Sequence, residues 1–117
     1  MIRRATPTDA KALARLRRQF KTEDNGADTA TPNFDATTER WIAERLARGD
    51  WLAWLAEVDG EVVAHVFLAI VERVPDPYEP NHPLGYLTNF YTVPEHRGRG
   101  LGAQLLRTAQ DYAATRP

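Results

Sequence analysis

The glycine-rich stretch VPEHRGRGLG at 93–102 contains the residue types of a phosphate site. Glycines recur at positions 98, 100 and 102, and glycine permits both a positive φ and the close approach of another group. Arg97 and Arg99 add two positive charges to the same turn. A helix is predicted to begin near residue 100, and the unpaired N–H groups at a helix N-terminus attract anions. The stretch therefore predicts a pocket for a phosphate or pyrophosphate that needs no metal.

Two common phosphate loops do not fit this stretch. A Walker loop requires a run that ends in Gly-Lys-Ser/Thr, and the sequence contains none. The dinucleotide fingerprint is matched formally, since Gly98-x-Gly100-x-x-Ala103 has the spacing G-x-G-x-x-A. That fingerprint belongs to a unit with an acidic residue about 20 positions further on. The sequence ends at Pro117, before that position, so the dinucleotide interpretation fails on context.

The third pattern, Arg97-x-x-Gly100-x-Gly102, resembles the signature of the GNAT superfamily of N-acetyltransferases. The wider similarity runs over 91–102 and continues with Leu105-Leu106, and the order of strands and helices is also similar, so the resemblance covers essentially the whole chain. It implies an α/β (α+β) fold with a mixed, mostly antiparallel sheet and helices on both faces. It also implies transfer of an acetyl group from acetyl-CoA to a primary amine, in a ternary complex without a covalent enzyme intermediate.

The resemblance also implies where acetyl-CoA binds. Backbone amides of 97–103 are expected to hold the CoA pyrophosphate, and the backbone of 91–93 is expected to pair with the pantetheine arm like an added strand. The predicted CoA-binding residues are Tyr91, Thr92, Val93, Arg97, Gly98, Arg99, Gly100, Leu101, Gly102 and Ala103. No metal is expected, because the three histidines lack the spacing of metal ligands.

The catalytic base is left open between two alternatives. Many family members have a glutamate on the strand before the glycine turn, but this chain has no carboxylate between Gly85 and Val93. Glu72, near the end of the preceding strand, is one candidate base, and a water chain held by Asn89 and tyrosine hydroxyls such as that of Tyr91 is the other. The missing carboxylate also motivates an alternative function, a non-catalytic module that binds or senses acyl-CoA.

Several neighbouring residues have simpler interpretations. Strand alternation predicts that Asn89 and Tyr91 share one face of the sheet and that Tyr86 lies on the other. His65 is interpreted as a hydrogen-bonded core or face residue rather than a base. The three tryptophans are interpreted as packing residues, with an aromatic wall for an acceptor as the alternative.

The period of the apolar residues predicts the order β-α-α-β-β-β-α. Strands are expected at 2–5, 51–58, 61–74 and 85–93, and helices at 8–21, at 37–48 and from about residue 100. Asp59-Gly60 predicts a hairpin with a type I′ turn between the second and third strands. A mobile polar loop is expected at 22–36 and a proline-rich loop at 75–84, and these two loops are expected to build the acceptor site.

The composition excludes several classes of protein. A formal charge of −1 argues against a dedicated nucleic-acid binder. The absence of cysteine excludes disulfides, thiolate zinc sites and cysteine nucleophiles. The longest apolar runs, 51–56 and 66–71, are too short to span a bilayer, so a cytoplasmic protein without a membrane partner is expected.

The resemblance also bears on domain organisation. Related domains continue beyond the helix that follows the glycine turn, whereas this sequence ends there. A single, incomplete acetyltransferase-like domain is therefore expected over 1–117, with strand 85–93 near a sheet edge. Because exposed edges invite pairing with another chain, the protein is expected to be a piece of a longer one or a homodimer. The acceptor is expected to be a small amine or a peptide amine.

Overall fold

The computed structural model describes residues 1–28 and 30–115, which form four strands and three helices. The strands are β1 (Ile2–Arg4), β2 (Trp51–Val58), β3 (Glu61–Val71) and β4 (Leu84–Thr92), and the helices are α1 (Ala10–Asn25), α2 (Phe34–Arg48) and α3 (Leu101–Thr115). The strands form one antiparallel sheet in the order β1-β2-β3-β4. The order of elements and the α/β architecture confirm the expected GNAT-like fold.

The hairpin between β2 and β3 follows directly from its turn residues. Asp59 has a φ of 52° and Gly60 a φ of 81°, and both values are positive as a type I′ turn requires. The two strands then pair from Val58–Glu61 at the turn to Trp51–Ala69 at the far end. Nearly all their central residues are buried, because both faces of this part of the sheet are covered.

The first helix extends further than its apolar spacing predicts. It ends at Asn25, so the expected polar loop at 22–36 is wrong at both of its ends, and α2 begins at Phe34 rather than at residue 37. Gly26 is the physical reason for the end of α1. Its φ is 77°, and its N–H donates to the Thr22 carbonyl at 2.9 Å, the left-handed cap that favours glycine.

Helices cover both faces of the sheet. Trp51 of β2 contacts Trp41 of α2 at 5.3 Å between ring centroids, whereas Trp54 contacts Tyr112 of α3 at 5.4 Å. Residues an odd number of positions apart on a strand point to opposite faces. Helices α1 and α2 therefore cover one face, called here the α1/α2 face, and α3 covers the other.

A β-bulge interrupts the pairing of β4 with β3. His65 is opposite Tyr91 and Phe67 is opposite Thr88, so β4 contains one more residue than β3 over this interval. The bulge corrects the expected face of Tyr86. Tyr86 is opposite Ala69, whose other neighbour across the sheet is Trp51, so Tyr86 lies on the α1/α2 face together with Tyr91. The extra residue has reversed the alternation between positions 86 and 91.

An ion pair links β1 to the start of α1. Arg3 donates two hydrogen bonds to Asp9, at 2.8 and 2.9 Å, and it also contacts Glu57 of β2. Hydrogen bonding from Arg3, opposed in part by burial, lowers the pKa of Asp9 to about 2. The pair therefore joins the N-terminal strand to the start of α1.

Asp9→Asn is expected to lower the free energy of unfolding at neutral pH by about 1–2 kcal/mol, between the values for exposed ion pairs and for hydrogen bonds to charged groups. Because the pKa of Asp9 is lowered on folding, its contribution is fully present above about pH 4 and is lost as the pH falls towards 2. Denaturant unfolding of both proteins from pH 7 to pH 2 measures this. A difference between the two proteins that stays constant down to pH 2 would contradict it.

Candidate active site

The glycine turn leads directly into α3. Gly98 and Gly100 both have a φ of 80°, a backbone conformation that residues with a Cβ atom rarely adopt. Gly100 begins the helix, since its carbonyl accepts the N–H of Gln104 at 3.1 Å. The N–H groups of Leu101, Gly102 and Ala103 belong to the first turn of α3, where helix geometry supplies no acceptor. The turn therefore presents backbone donors at the positive end of a helix.

The space above this turn is open. A Cβ atom at Gly98, Gly100 or Gly102 would meet no atom of the described residues within 4 Å, apart from its neighbours in the chain and in its own helix. The left-handed φ of the first two glycines explains their presence, and the free volume leaves room for a ligand to reach the backbone. The outer edge of β4 lies beside the turn, because β4 is the last strand in the order of the sheet and pairs only with β3 among the described strands.

The backbone of 91–93 is less available for pairing than the sequence predicts. The N–H of Val93 donates to the Val63 carbonyl at 2.9 Å, so this donor points towards β3. Because backbone groups alternate along a strand, Thr92 is the residue that points to the outer edge, and its carbonyl accepts a hydrogen bond from Arg97 Nε at 2.9 Å. The Val93 N–H is therefore committed to the sheet, and pairing of 91–93 with a ligand stays a prediction that involves Thr92 most directly.

Glu23 of α1 joins the strand to the glycine turn. The Tyr91 hydroxyl donates to Glu23 Oε1 at 2.5 Å, and Arg97 donates to Glu23 Oε2 at 2.8 Å. Tyr91 also stacks on Phe20 of α1, with ring centroids 5.2 Å apart. The Arg97 side chain thus holds the turn against β4 and α1, whereas Arg99 is exposed and its guanidinium lies 3.3 Å from the His96 ring nitrogen.

These contacts determine the protonation states of Glu23 and Tyr91. Hydrogen bonds from Arg97 and then from Tyr91 lower the pKa of Glu23, so its carboxylate stays ionised. Burial, followed by the hydrogen bond to Glu23, raises the pKa of Tyr91. The Tyr91 hydroxyl is therefore a proton donor at neutral pH and not a phenolate.

Asn89 lies in the bulge with a φ of 56°. Its Oδ1 accepts a hydrogen bond from the Arg17 guanidinium of α1, which places both side chains on the α1/α2 face. Asn89 and Tyr91 thus share a face as expected. The two residues are brought together with Arg17 and Glu23 along one side of α1.

His65 is fully buried beside Phe67 and Tyr91. Its ring is 5.3 Å from that of Phe67 and 6.1 Å from that of Tyr91. His65 is thus a core residue as expected, and the Asn89 backbone lies near its ring without forming a hydrogen bond of normal geometry. Burial lowers the pKa of His65 to about 4, so the ring is neutral and uncharged beneath the bulge at physiological pH.

Glu72 is not part of this arrangement. It follows the last residue of β3, where Val71 pairs with Leu84, while His65 pairs with Tyr91 at the other end of the ladder. At 3.3 Å per strand residue, Glu72 lies roughly 20 Å from Tyr91 along the strand. It is exposed and lines a surface depression with Arg73 and His82. The structure therefore separates this candidate base from Asn89 and Tyr91.

A cleft of about 370 Å³ opens beside Asn89, between α1, α2 and the sheet. Trp41, Trp51 and Phe67 form one wall, with successive ring centroids 5.3 and 6.4 Å apart. Trp41 and Trp51 therefore line the cleft as an aromatic wall, whereas Trp54 packs under α3.

Sequence reasoning missed Arg17 and Glu23. A helix predicted to end at residue 21 leaves Glu23 in a loop, although Arg17, Phe20 and Glu23 follow one another at helical spacing of three. The signal that could have found them is Gly26, a left-handed helix cap that extends the helix to Asn25. Their partners on β4 could not be inferred from spacing.

Two further properties concern the described part of the chain. None of its helices is long and apolar enough to cross a membrane. Within residues 1–28 and 30–115, no three His, Asp or Glu side chains are grouped so that they could hold a metal ion.

Comparison with known proteins matches this architecture. The sequence profile of the Acetyltransferase (GNAT) family matches residues 11–116. An uncharacterized N-acetyltransferase of Archaeoglobus fulgidus is 32% identical over 82 residues, which cover 66% of this chain and 48% of that protein. An aminoglycoside N(6′)-acetyltransferase type 1 of Stenotrophomonas maltophilia is 31% identical over 112 residues, which cover 95% of this chain and 65% of that protein. This chain thus spans about half to two thirds of the length of these relatives.

Solved structures extend the similarity to the fold. The crystal structure of a predicted acetyltransferase from Clostridium acetobutylicum with acetyl-CoA has a TM-score of 0.78 and 25% identity, over 97% of this chain and 73% of that one. A GCN5-related N-acetyltransferase from Ralstonia eutropha has a TM-score of 0.79 and 28% identity, over 97% and 75%. With the family profile covering nearly the whole sequence and the glycine turn placed at the start of α3, this chain belongs to the GNAT acetyltransferase family.

Proposed function

We propose that this chain carries the acetyl-CoA site of an N-acetyltransferase that moves an acetyl group to a primary amine by direct transfer in a ternary complex. The observation that carries the proposal is the turn at 97–100, whose two left-handed glycines lead into the N-terminus of α3 beside the outer edge of β4. The donors and the open space at this turn fit a pyrophosphate.

The backbone of 97–103 would bind the pyrophosphate, and the outer edge of β4 would accept the pantetheine arm. Leu101, Gly102 and Ala103 supply N–H groups of the first helical turn. Arg97 acts mainly by holding the turn in place through Glu23 and the Thr92 carbonyl. Arg99 contributes an exposed charge that attracts the phosphates.

In the reaction, the amine nitrogen bonds to the carbonyl carbon of the thioester, the carbon–sulfur bond breaks, and the proton lost by the amine ends on the CoA sulfur. Much of the rate of such a transfer comes from holding the two reactants together. Asn89 and Tyr91 lie on the α1/α2 face of the strand, where they would hold and orient solvent. With no carboxylate on β4, we assign deprotonation of the amine to solvent held by these polar groups.

The acceptor is proposed to be a small amine or a peptide amine. The name of the Stenotrophomonas relative makes an aminoglycoside one candidate. Calorimetry with acetyl-CoA, followed by release of free CoA on mixing with a panel of amines, tests the proposal. Saturable binding together with amine-dependent CoA release supports acetyl transfer.

The absence of a carboxylate on β4 favours one alternative, a non-catalytic module that binds or senses acyl-CoA. Glu23, the carboxylate that contacts Tyr91, is already hydrogen-bonded to Arg97 and to the tyrosine hydroxyl. Tight acetyl-CoA binding without CoA release across the whole amine panel would favour this alternative over acetyl transfer.

Glu72→Gln is expected to change the rate of acetyl transfer by less than about twofold, because its carboxylate is remote from Asn89 and Tyr91. A general base typically contributes 10²–10⁴-fold, so the measurement is decisive. His65→Ala is expected to retain measurable turnover as well, since a buried neutral ring does not reach the reacting atoms. Steady-state CoA release is measured for both variants, with circular dichroism as the control for folding. Complete loss of turnover in a folded variant would identify that residue as the base.

We also propose that the part of the outer edge of β4 before the pantetheine site, from Leu84 to Phe90, is covered in solution by a second copy of the chain, most simply in a twofold dimer. The edge carries exposed Leu84, Tyr86 and Phe90, and exposed strands of this kind pair with other chains. Light scattering coupled to size exclusion is expected to give twice the 13.2 kDa mass of one chain. A folded monomer across the measured concentrations would contradict this proposal.

A further inference from the structure

The cleft beside Asn89 has an aromatic interior. Its walls include Phe34 and Trp41 from α2, Trp51 from β2 and Phe67 from β3. Trp41 meets Trp51 edge-on, at 70°, and Trp51 meets Phe67 in the same way, at 72°. Aromatic walls of this size favour a flat or apolar ligand body.

The described residues that line the cleft carry a positive charge and no negative one. Among them, Arg17 is the one ionisable residue, and none is an aspartate or a glutamate. Arg17 takes part in none of the ion pairs formed within residues 1–28 and 30–115, and its guanidinium donates to the neutral Asn89 amide. The cleft therefore carries an uncompensated positive charge at the end nearest the bulge.

This charge has two consequences for an amine acceptor. A positive charge within a few ångströms disfavours a protonated amine and so favours the neutral, nucleophilic form. The same charge repels a ligand that carries several cations, while its remaining donors suit a carboxylate. A polycationic acceptor would leave its charges without partners in this cleft.

We infer that the acceptor of this chain is an amine with an aromatic or apolar body and a carboxylate, the chemical class of the aromatic α-amino acids, and that a polycationic amine is excluded. The aromatic wall would hold the body, and Arg17 would bind the carboxylate close to Asn89. This inference rests on the proposed acetyl transfer, since it assigns the acceptor of that reaction.

Three probe amines separate the contribution of the ligand's aromatic body from that of its charged groups. L-Phenylalanine has both features, phenethylamine lacks the carboxylate, and the aminoglycoside kanamycin is a polycation. Binding to the CoA-saturated protein is measured by calorimetry and by the fluorescence of the cleft tryptophans. L-Phenylalanine is expected to bind about tenfold or more tightly than phenethylamine, as a charge-assisted hydrogen bond contributes. Kanamycin is expected to bind more weakly than either.

Two variants assign these differences to residues. Arg17→Gln is expected to remove the preference for L-phenylalanine over phenethylamine, and Trp41→Ala is expected to weaken both ligands. Arg15→Gln is the matched control. It changes the same residue type on the same helix, but its guanidinium lies near the Val62 carbonyl and does not line the cleft. Arg15→Gln is expected to leave the binding of both ligands unchanged.

The outcomes distinguish this inference from the proposed function. Tighter binding of kanamycin than of L-phenylalanine, no binding of either aromatic amine, or an unchanged preference in Arg17→Gln would overturn the inference. Acetylation of kanamycin but not of L-phenylalanine would overturn it too, while leaving acetyl transfer standing. Binding of L-phenylalanine in the cleft without CoA release from any amine would overturn the transfer reaction and the assignment of an acceptor, and would leave the cleft as a binding site for this class of ligand.

Discussion

Replacing Gly100 with valine is expected to weaken CoA binding by about two orders of magnitude or more. Gly100 has a φ of 80°, which a β-branched residue adopts only with strain, and its Cβ position opens into free space where the ligand would lie. Losing two hydrogen bonds to a charged pyrophosphate at about 1.5–3 kcal/mol each is sufficient for this effect. Isothermal titration calorimetry with CoA measures it.

Two controls separate exclusion of the ligand from other effects. Gly49→Val introduces the same strain at a φ of 84°, again with nothing within 4 Å, but far from the turn, between α2 and β2. It is expected to lower stability while CoA affinity remains unchanged. Arg99→Ala removes an exposed charge worth about 1 kcal/mol or less, so a loss of about fivefold or less is expected. If Arg99→Ala costs as much affinity as Gly100→Val, backbone binding of the pyrophosphate is wrong.

Leu105→Ala is expected to lower the free energy of unfolding by about 2–5 kcal/mol. Leu105 is fully buried in the core, on the helix that contacts β2, β3 and β4. Because Leu105 lies one turn beyond the glycine turn, its packing fixes α3 and thereby the donors at its N-terminus. Equilibrium unfolding in urea, monitored by circular dichroism, measures the loss.

Arg107→Ala is the control for this variant, because Arg107 lies on the same helix but is exposed. A change within about 0.5 kcal/mol is expected for it. Equal effects of the two substitutions would show that α3 is not fixed by its buried face. A Leu105→Ala protein that unfolds at the same urea concentration as the unmodified protein would lead to the same conclusion.

The sequence by itself determined the features that depend on local chemistry. Asp59-Gly60 predicted the hairpin because two consecutive residues must have positive φ there. The glycines at 98 and 100 predicted the turn that leads into the last helix for the same reason, and the apolar stripe of that helix predicted its packing. These properties are encoded within a few residues, so spacing alone is enough to recognise them.

Only the tertiary structure decided how the site is assembled. The bulge in β4 reverses the face of Tyr86, although no proline or glycine marks it in the sequence. Glu23 contacts Tyr91 and Arg97, which lie 68 and 74 positions away along the chain, and Arg17 contacts Asn89, which lies 72 positions away. Such pairs form because α1 packs across the end of β4, and packing between distant segments leaves no periodic trace in either segment.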